Sequence, residues 1–234
     1  MIQKILTTKR CISLKNQLRI YSTAVVQNSD YIKFNNTGQI PFPKGLILDQ
    51  NFIIDQQERE KCVQESKDVF RIFSNSVRGA TNFKRRILNF HSKSFEKNVP
   101  EYMPTVYSFI RKAFEQGYHE HFPNTIQINQ YDDDTSYSCP MHVDAKSLGP
   151  TISMISLQST AVMDLCVDPP PNVSQEEVEK MPPQVQVLLT PGSLLVMSDQ
   201  IRYEWLHGIK QQEQEWNGSK INKQERQSIV FWYQ

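Results

Sequence analysis

The sequence predicts an α+β fold that is mainly β, with helices in the N-terminal part and a barrel or double-sheet jelly roll after them. Amphipathic helical spacing occurs only before residue 123. After it, turn residues separate six short strand-like runs, at 125–131, 151–157, 161–167, 185–189, 193–197 and 227–233. With 234 residues and 38% apolar residues, the chain is long enough to bury a sizeable core.

Residues 1–25 have the composition of a mitochondrial transit peptide, so we expect a mitochondrial location. Five cations and no acid precede Asp30, and Arg19-Ile20-Tyr21-Ser22 resembles a processing site. The alternative is a disordered basic tail on a cytoplasmic or nuclear protein. Residues 26–44 are polar and rich in turn residues, which indicates a linker or entry loop before the domain at 45–234.

The N-terminal part of the domain contains two predicted helices. Residues 45–54 alternate as a strand does, and Asp55 then caps a helix that runs to about Asp68. A second helix begins at Pro104 and ends at Gly117, with apolar residues three and four apart. His119 and His121 follow it, and we expect both to be exposed polar residues at a helix end rather than metal ligands.

The most basic part of the domain is residues 78–99, where cations alternate with aromatic residues around a short strand at 87–90. Cations beside aromatic rings suit phosphates and unstacked bases. The alternative is a strand edge with solvated lysines and arginines. Without its first 29 residues the chain has 21 basic and 25 acidic residues, so a nucleic-acid contact would have to be local.

Several classes of protein are disfavoured by composition. The four cysteines are scattered without a CxxC pair, which argues against a zinc site or a disulfide framework, and Cys62 and Cys166 are expected to be small buried residues. No apolar run is long enough to cross a membrane. Residues 168–184 contain five prolines and an acidic cluster, which indicates a surface insertion between strands.

One short motif suggests a metal centre. His142 and Asp144 are two residues apart, so on a strand both would point to the same face, and His207 could complete the set. Two imidazoles and one carboxylate suit Fe(II) and leave coordination positions open for a co-substrate and dioxygen. Alone the motif is weak evidence, because Asp144 could cap a turn and His207 could be a core histidine.

The residues around this motif strengthen that interpretation, because their order resembles the AlkB family of iron- and 2-oxoglutarate-dependent dioxygenases across about residues 45–234. The resemblance implies a double-stranded β-helix, a form of jelly roll, with N-terminal supporting helices. It is carried by Asn129-Gln130-Tyr131, His142-Val143-Asp144, Ile155-Ser156-Leu157, Pro191-Gly192-Ser193-Leu194-Leu195-Val196-Met197, Arg202-Tyr203, His207-Gly208-Ile209 and Arg226-Gln227-Ser228.

The resemblance also implies roles for individual residues. His142, Asp144 and His207 would bind Fe(II). A second group, Asn129, Tyr131, Arg226 and Ser228, would bind 2-oxoglutarate. Arginine suits this task because its planar fork matches a carboxylate. The implied reaction uses dioxygen to hydroxylate a substrate carbon, and hydroxylation of an N-methyl carbon releases formaldehyde.

The substrate is the least determined part of the prediction. Arg85, Arg86 and Phe90 lie where the family builds its nucleotide-recognition lid, which indicates hydroxylation or demethylation of a modified base in single-stranded or flipped RNA or DNA. The net acidic domain and the transit peptide leave open a mitochondrial oxygenase that acts on a protein or another non-nucleic substrate. The oligomeric state is not predicted.

One position departs from the family pattern. The family often has a second arginine six residues after the first, and here that residue is Trp232. The departure suggests weaker or rearranged binding of 2-oxoglutarate, and leaves open a catalytically impaired AlkB-like binding protein. Two extra residues also lie in the acidic turn Asp132-Asp133-Asp134, which we expect to be a solvated loop rather than a second metal site.

Overall fold

The computed structural model describes residues 30–35, 40–80, 84–131, 137–210 and 213–234. The predicted transit peptide and the acidic turn at 132–134 lie outside these ranges, so both stay predictions. Among the described residues, no helix is long and apolar enough to cross a membrane.

The described residues form five helices and fourteen strands. The helices are α1 (Gln56–Ile72), α2 (Lys93–Tyr102), α3 (Pro104–Glu115), α4 (Gln175–Lys180) and α5 (Asp199–Tyr203). The strands are β1 (Ile32–Phe34), β2 (Leu46–Asp49), β3 (Arg78–Ala80), β4 (Arg85–His91), β5 (Thr125–Tyr131), β6 (Cys139–His142), β7 (Thr151–Gln158), β8 (Ala161–Val167), β9 (Val185–Leu189), β10 (Leu194–Ser198), β11 (Trp205–Ile209), β12 (Gln214–Trp216), β13 (Ser219–Ile221) and β14 (Arg226–Trp232).

Two antiparallel sheets form the jelly roll and confirm the predicted fold class. The major sheet has the strand order β2-β10-β7-β14-β5-β4-β3, and the minor sheet has the order β1-β9-β8-β11-β6. Strands β12 and β13 form a separate hairpin. The predicted strands 125–131, 161–167 and 185–189 have the same bounds in the structure.

Alternation along the central strand β14 separates the two faces of the major sheet. Ile229 and Phe231 belong to the cluster that contains the helices, whereas Trp232 packs with residues of the minor sheet. Because side chains alternate along a strand, Arg226 and Ser228 share the inner face with Trp232. The inner face of β14 is therefore polar at its start and apolar at its end.

The outer face of the major sheet is covered by α1, α2 and α3, which bury an aromatic-rich cluster against it. Asp55 caps α1 as predicted, and its carboxylate accepts a hydrogen bond from the Gln57 backbone at 2.7 Å. Helix α3 begins at Pro104 as predicted. The sequence did not indicate α2, because it contains Pro100 and no side chain caps its start.

The first strand corrects the prediction of a linker or entry loop at 26–44, but only at residues 32–34. Ile32, Lys33 and Phe34 pair with β9 and extend the minor sheet at its edge. The Lys33 ammonium also lies 4.2 Å from the centre of the Trp216 ring. Three residues are too few to show an alternating pattern, so only the partner strand reveals this element.

The prediction that His119 is exposed is wrong. It is 5% exposed, its Nε2 lies 2.7 Å from the Ser153 hydroxyl, and its ring centre lies 5.4 Å from that of Phe231. Burial lowers the pKa of His119 to about 4, because a charged imidazole in the core would lack the hydration that it has in water. His119 is therefore a neutral core histidine. Its neighbour His121 is exposed, as predicted.

This burial predicts a pH dependence of stability. Unfolding restores an ordinary histidine pKa near 6.5, so the unfolded state binds more protons between pH 6.5 and 4. Stability from the neutral His119 is complete above pH 6.5 and is lost as the pH falls toward 4. Between pH 7.5 and 5, we expect the wild type to lose about 2 kcal/mol more unfolding free energy than His119→Gln. Urea denaturation at both values measures it, and parallel losses in the two proteins would contradict the assignment.

Candidate active site

The three predicted metal ligands meet where the minor sheet ends. His142 is the last residue of β6, and His207 lies directly opposite it on β11. Asp144 follows two residues after His142 and lies beyond the end of the strand. The prediction that strand alternation would orient Asp144 is therefore wrong, although the residue does reach the site.

The ligand atoms of these residues are close enough to share one ion. The His142 Nε2 lies 3.5 Å from one Asp144 oxygen, and the His207 Nε2 lies 3.6 Å from the other. All three candidate ligand atoms lie within 4.8 Å of one another. This donor set fits Fe(II), because imidazole and carboxylate together favour this ion and leave positions open.

Backbone contacts orient His142 and the loop that carries Asp144. The His142 Nδ1 lies 2.7 Å from the Pro140 carbonyl, so it donates there and leaves Nε2 for a metal. The buried Arg202 guanidinium donates to the carbonyls of Asp144 and Ala145 at 3.0 and 2.6 Å and so fixes the loop without using the carboxylate. These contacts preorganise the site before an ion binds.

A glycine allows the two histidine strands to approach each other. A Cβ at Gly208 would lie 2.8 Å from the Cys139 carbonyl and 2.8 Å from the Met141 sulfur. Real Cβ atoms are not found so close to backbone, so any larger residue would force β6 and β11 apart. The glycine next to His207 therefore helps to set the distance between the two imidazoles, whose ring centres lie 4.5 Å apart.

The two histidines differ in their readiness to carry a proton. Burial acts to lower the pKa of His142, but hydrogen bonds to Asp144 and Cys139 outweigh it and raise that pKa to about 10. Burial lowers the pKa of His207 to about 4. At neutral pH without metal, a proton on His142 balances the Asp144 charge. A metal ion must displace that proton to bind.

Helix α4 secures the strand that carries His142. Strand β6 is at the edge of the minor sheet, so its outer backbone groups have no neighbouring strand. Glu179 accepts a hydrogen bond from the Met141 backbone at 2.8 Å, and Gln175 donates to the Met141 carbonyl at 3.1 Å. The predicted surface insertion at 168–184 therefore supports the metal site as well.

A second group of predicted residues lies on the inner face of the major sheet. Arg226 is fully buried, and one of its nitrogens donates to the Ser156 hydroxyl at 3.1 Å. Its guanidinium carbon lies 5.3 Å from the centre of the Tyr131 ring. Asn129 donates to the Ser228 hydroxyl at 3.1 Å, one row further along the strands. The four predicted co-substrate residues therefore adjoin one another.

Arg226 shows that this pocket suits an anion. Its Nε and Nη1 atoms are buried and have no hydrogen-bond partner among the described residues. A buried charge without an anion is costly, and a carboxylate that accepts a hydrogen bond from one of these nitrogens would also neutralise the guanidinium. Tyr137 is also fully buried; its hydroxyl has no hydrogen-bond partner within the described part of the chain, and its ring centre lies 5.0 Å from that of Tyr131. These residues fit the carboxylate of 2-oxoglutarate.

Sequence reasoning gave no role to two residues of this pocket, Ser156 and Tyr137, and a different role to a third, Arg85. Ser156 lies in a quoted motif, but only its pairing with Ser228 shows that it faces Arg226. Tyr137 follows the acidic turn and has no motif of its own. Arg85 was predicted to contact substrate, whereas its guanidinium lies 3.5 Å from the Cys139 sulfur and hydrogen-bonds to Tyr131. The register of β4 against β5 is the signal that could have placed it.

The other predicted substrate residues lie elsewhere. Phe90 is 4% exposed and packs against Phe73 beneath the helices, so the structure contradicts a base-stacking role for Phe90. Arg86 is exposed on the outer face, 5.7 Å from the centre of the Phe70 ring. Trp232 is 3% exposed in the core between the sheets, at the opposite end of β14 from Arg226.

Comparison with known proteins agrees with this geometry. Residues 49–231 match the model of the 2OG-Fe(II) oxygenase superfamily, so the chain belongs to that family. It is 30% identical over 194 residues to tRNA (carboxymethyluridine(34)-5-O)-methyltransferase ALKBH8 of Mus musculus, and this match covers 76% of the chain and 26% of that protein. It is 25% identical over 182 residues to protein L905 of Acanthamoeba polyphaga mimivirus, covering 72% and 78%.

A solved structure supports the fold. A prolyl hydroxylase from Trichoplax adhaerens, in complex with a hypoxia-inducible factor peptide, superposes with a TM-score of 0.52 at 14% identity and covers 97% of this chain and 94% of that one. The predicted AlkB-like resemblance is confirmed by the similarity to ALKBH8 proteins, of whose length the chain spans about a quarter.

The protein is therefore an AlkB-like dioxygenase with Fe(II), 2-oxoglutarate and dioxygen as its cofactor and co-substrates. When bound, the iron supplies the oxidising chemistry, and 2-oxoglutarate leaves as succinate and carbon dioxide. The chain's own residues would orient the ion and the co-substrate and balance their charges. His142, Asp144 and His207 would hold the ion, while Arg226 and the hydroxyls beside it would fix the co-substrate.

Removal of a ligand should abolish metal binding. We expect Asp144→Asn and His207→Ala each to weaken Mn(II) binding by more than about a hundredfold. Loss of a residue that only hydrogen-bonds to a metal ligand already costs about 10- to 100-fold in affinity, and loss of the ligand itself should cost more. His121→Ala, a change of an exposed histidine, should bind like the wild type. Calorimetric titration of the metal-free proteins measures the affinities. Wild-type affinity in both ligand variants would rule out this metal site.

The contact from helix α4 gives a separate prediction. Glu179→Ala leaves the Met141 backbone amide without its acceptor, and we expect the unfolding free energy to fall by about 1 kcal/mol. The matched control is Glu176→Ala on the same helix, whose carboxylate is exposed and pairs only with Lys180. That change should cost less than about 0.5 kcal/mol. Equal losses in urea denaturation would show that Glu179 does not secure β6.

Proposed function

We propose that this oxygenase hydroxylates or demethylates a modified base in a nucleic acid, either RNA or DNA. The observation that carries the proposal is the position of the β3–β4 hairpin, whose basic strand contacts the strand that bears the candidate metal ligand His142. Arg85, at the start of β4, contacts Cys139, and Cys139 lies three residues before the ligand His142 on β6. The start of β4 therefore lies beside β6, the strand that carries His142.

The hairpin carries several exposed cations. Arg78, Lys84 and Arg86 are exposed on it, with Arg78 and Arg86 on opposite faces, within a domain that is otherwise net acidic. Grouped surface cations suit the phosphates of a nucleic acid, since phosphate contacts supply most of the affinity for it. The cations are local, as the charge balance of the whole domain requires.

The metal site is open on one side, as a large substrate requires. The His142 side chain is 42% exposed, whereas the His207 side chain is 9% exposed. A base enters such a site only when it is unstacked, in a single strand or flipped from a duplex. Hydroxylation of an N-methyl carbon would give an unstable product that releases formaldehyde and leaves the base unmethylated.

The relatives give independent support. The ALKBH8 proteins of Mus musculus and Xenopus tropicalis are named as transfer-RNA methyltransferases, and the chain matches about a quarter of each. That name describes those proteins and not this chain. Because it refers to transfer RNA, RNA is the first nucleic acid to test here.

A binding measurement with single-stranded oligonucleotides tests the proposal. We expect Lys84→Gln/Arg86→Gln to weaken binding and to lower the slope of log affinity against log salt by about 1 to 2, since each lost phosphate contact removes about one unit. Fluorescence anisotropy between 50 and 200 mM salt measures both quantities. The matched control is Lys61→Gln/Arg71→Gln on α1, which removes the same charge from another exposed surface.

Weak binding that does not respond to salt would overturn the proposal and favour a protein or another non-nucleic substrate. An equal effect of both double variants would remove the hairpin from the interface. Succinate formation in the wild type, lost in His142→Ala, would separate an enzyme from a binding protein in either case.

A further inference from the structure

We infer that Arg85 provides the second cation of the 2-oxoglutarate pocket, where it shares the distal carboxylate with Arg226. The usual family pattern would place a second arginine at Trp232, on the same strand as Arg226. The structure points instead to a different strand, β4. The inference concerns the co-substrate and does not depend on the proposed substrate.

Strand register places Arg85 in the same row as Arg226. Arg226 on β14 is paired with Tyr131 on β5, and Tyr131 is paired with Arg85 on β4. Paired residues on neighbouring strands point to the same face of a sheet. The three side chains therefore form a row on the inner face, with an arginine on each side of the tyrosine. Neighbouring strands are about 4.8 Å apart, so two arginine side chains at the ends of such a row can converge on one carboxylate.

The contacts of Arg85 hold its side chain toward the pocket. Its guanidinium hydrogen-bonds to the Tyr131 hydroxyl and lies 3.5 Å from the Cys139 sulfur, and neither contact is with a carboxylate. The Nε atom is buried and has no partner among the described residues. Arg85 is thus held toward the pocket with hydrogen-bonding capacity left over.

The charges of Arg85 and Arg226 are not balanced by a carboxylate of the described residues. Among the described residues, no carboxylate lies within ion-pair distance of Arg85 or Arg226. Two guanidinium groups on either side of one tyrosine therefore create a positive region at the depth of the Ser156 and Ser228 hydroxyls. A dicarboxylate with one end at the metal would bring its other end to this region, and would neutralise it.

Trp232 lies in apolar surroundings that do not suit a cation. Six residues along a strand span about 20 Å, and Trp232 fills the apolar core between the sheets at that distance from Arg226. Its neighbours across β14 are Ile152 and Thr125, neither of which is charged. A cation at residue 232 would be buried among apolar side chains, so the chain takes its second cation from the other strand in the Arg226 row.

Calorimetric titration of 2-oxoglutarate into the full chain with Mn(II), without oxygen, tests the inference without turnover. We expect Arg85→Gln to raise the Kd for 2-oxoglutarate about tenfold or more, since a hydrogen bond to a charged group contributes about 1.5 to 3 kcal/mol. The Kd for Mn(II) should not change. Arg86→Gln, the adjacent arginine on the opposite face, is the matched control and should bind within twofold of the wild type.

A second ligand identifies the end of the molecule that Arg85 contacts. 2-Oxopentanoate keeps the chelating 2-oxo acid and has a methyl group in place of the distal carboxylate. We expect Arg85→Gln to weaken 2-oxopentanoate binding less than threefold. Equal weakening of both ligands would overturn the assignment to the distal carboxylate.

Two further outcomes decide the remaining cases. An unchanged Kd for 2-oxoglutarate, with weaker oligonucleotide binding, would overturn the inference and return Arg85 to the nucleic-acid surface. If circular dichroism shows that Arg85→Gln is unfolded, Arg85→Met replaces it, because methionine retains an apolar stem beside Tyr131 without the charge. The same tenfold increase is expected for that variant, and wild-type affinity in it would overturn the inference.

Discussion

A guanidinium that has no access to water imposes the strongest constraint on this molecule. Arg226 is fully buried, and only one of its nitrogens has a hydrogen-bond partner among the described residues. Burial of such a charge without an anion opposes folding. The hydroxyls and the tyrosine beside it reduce that cost only in part. Binding of 2-oxoglutarate should therefore stabilise the fold as well as prepare the reaction, because the ligand binds the folded state alone.

The central strand β14 distributes polar and apolar tasks along its length. Its inner face begins with Arg226 and Ser228 in the co-substrate pocket and ends with Val230 and Trp232 in the core between the sheets. On the outer face, Ile229 and Phe231 pack under the helices. Function and stability are thus separated along one strand by distance, and across it by alternation.

Sequence reasoning succeeded where local signals were strong. The bounds of three strands, the Asp55 cap and the residues of the metal site follow from alternation, capping chemistry and motif order. It failed where a distant partner decides the outcome. The burial of His119 depends on Ser153, and the inward position of Arg85 depends on its pairing with Tyr131. A sequence read alone does not contain the strand register that creates these contacts.

The hydrogen bonds from helix α4 have a consequence beyond the metal site. An edge strand offers unpaired backbone groups to any other extended chain, and this is a common route to aggregation. In β6, the Met141 groups that would accept such a chain are occupied by Glu179 and Gln175. Two side chains on one short helix thus occupy the place of a further strand. The insertion therefore covers this part of the sheet edge.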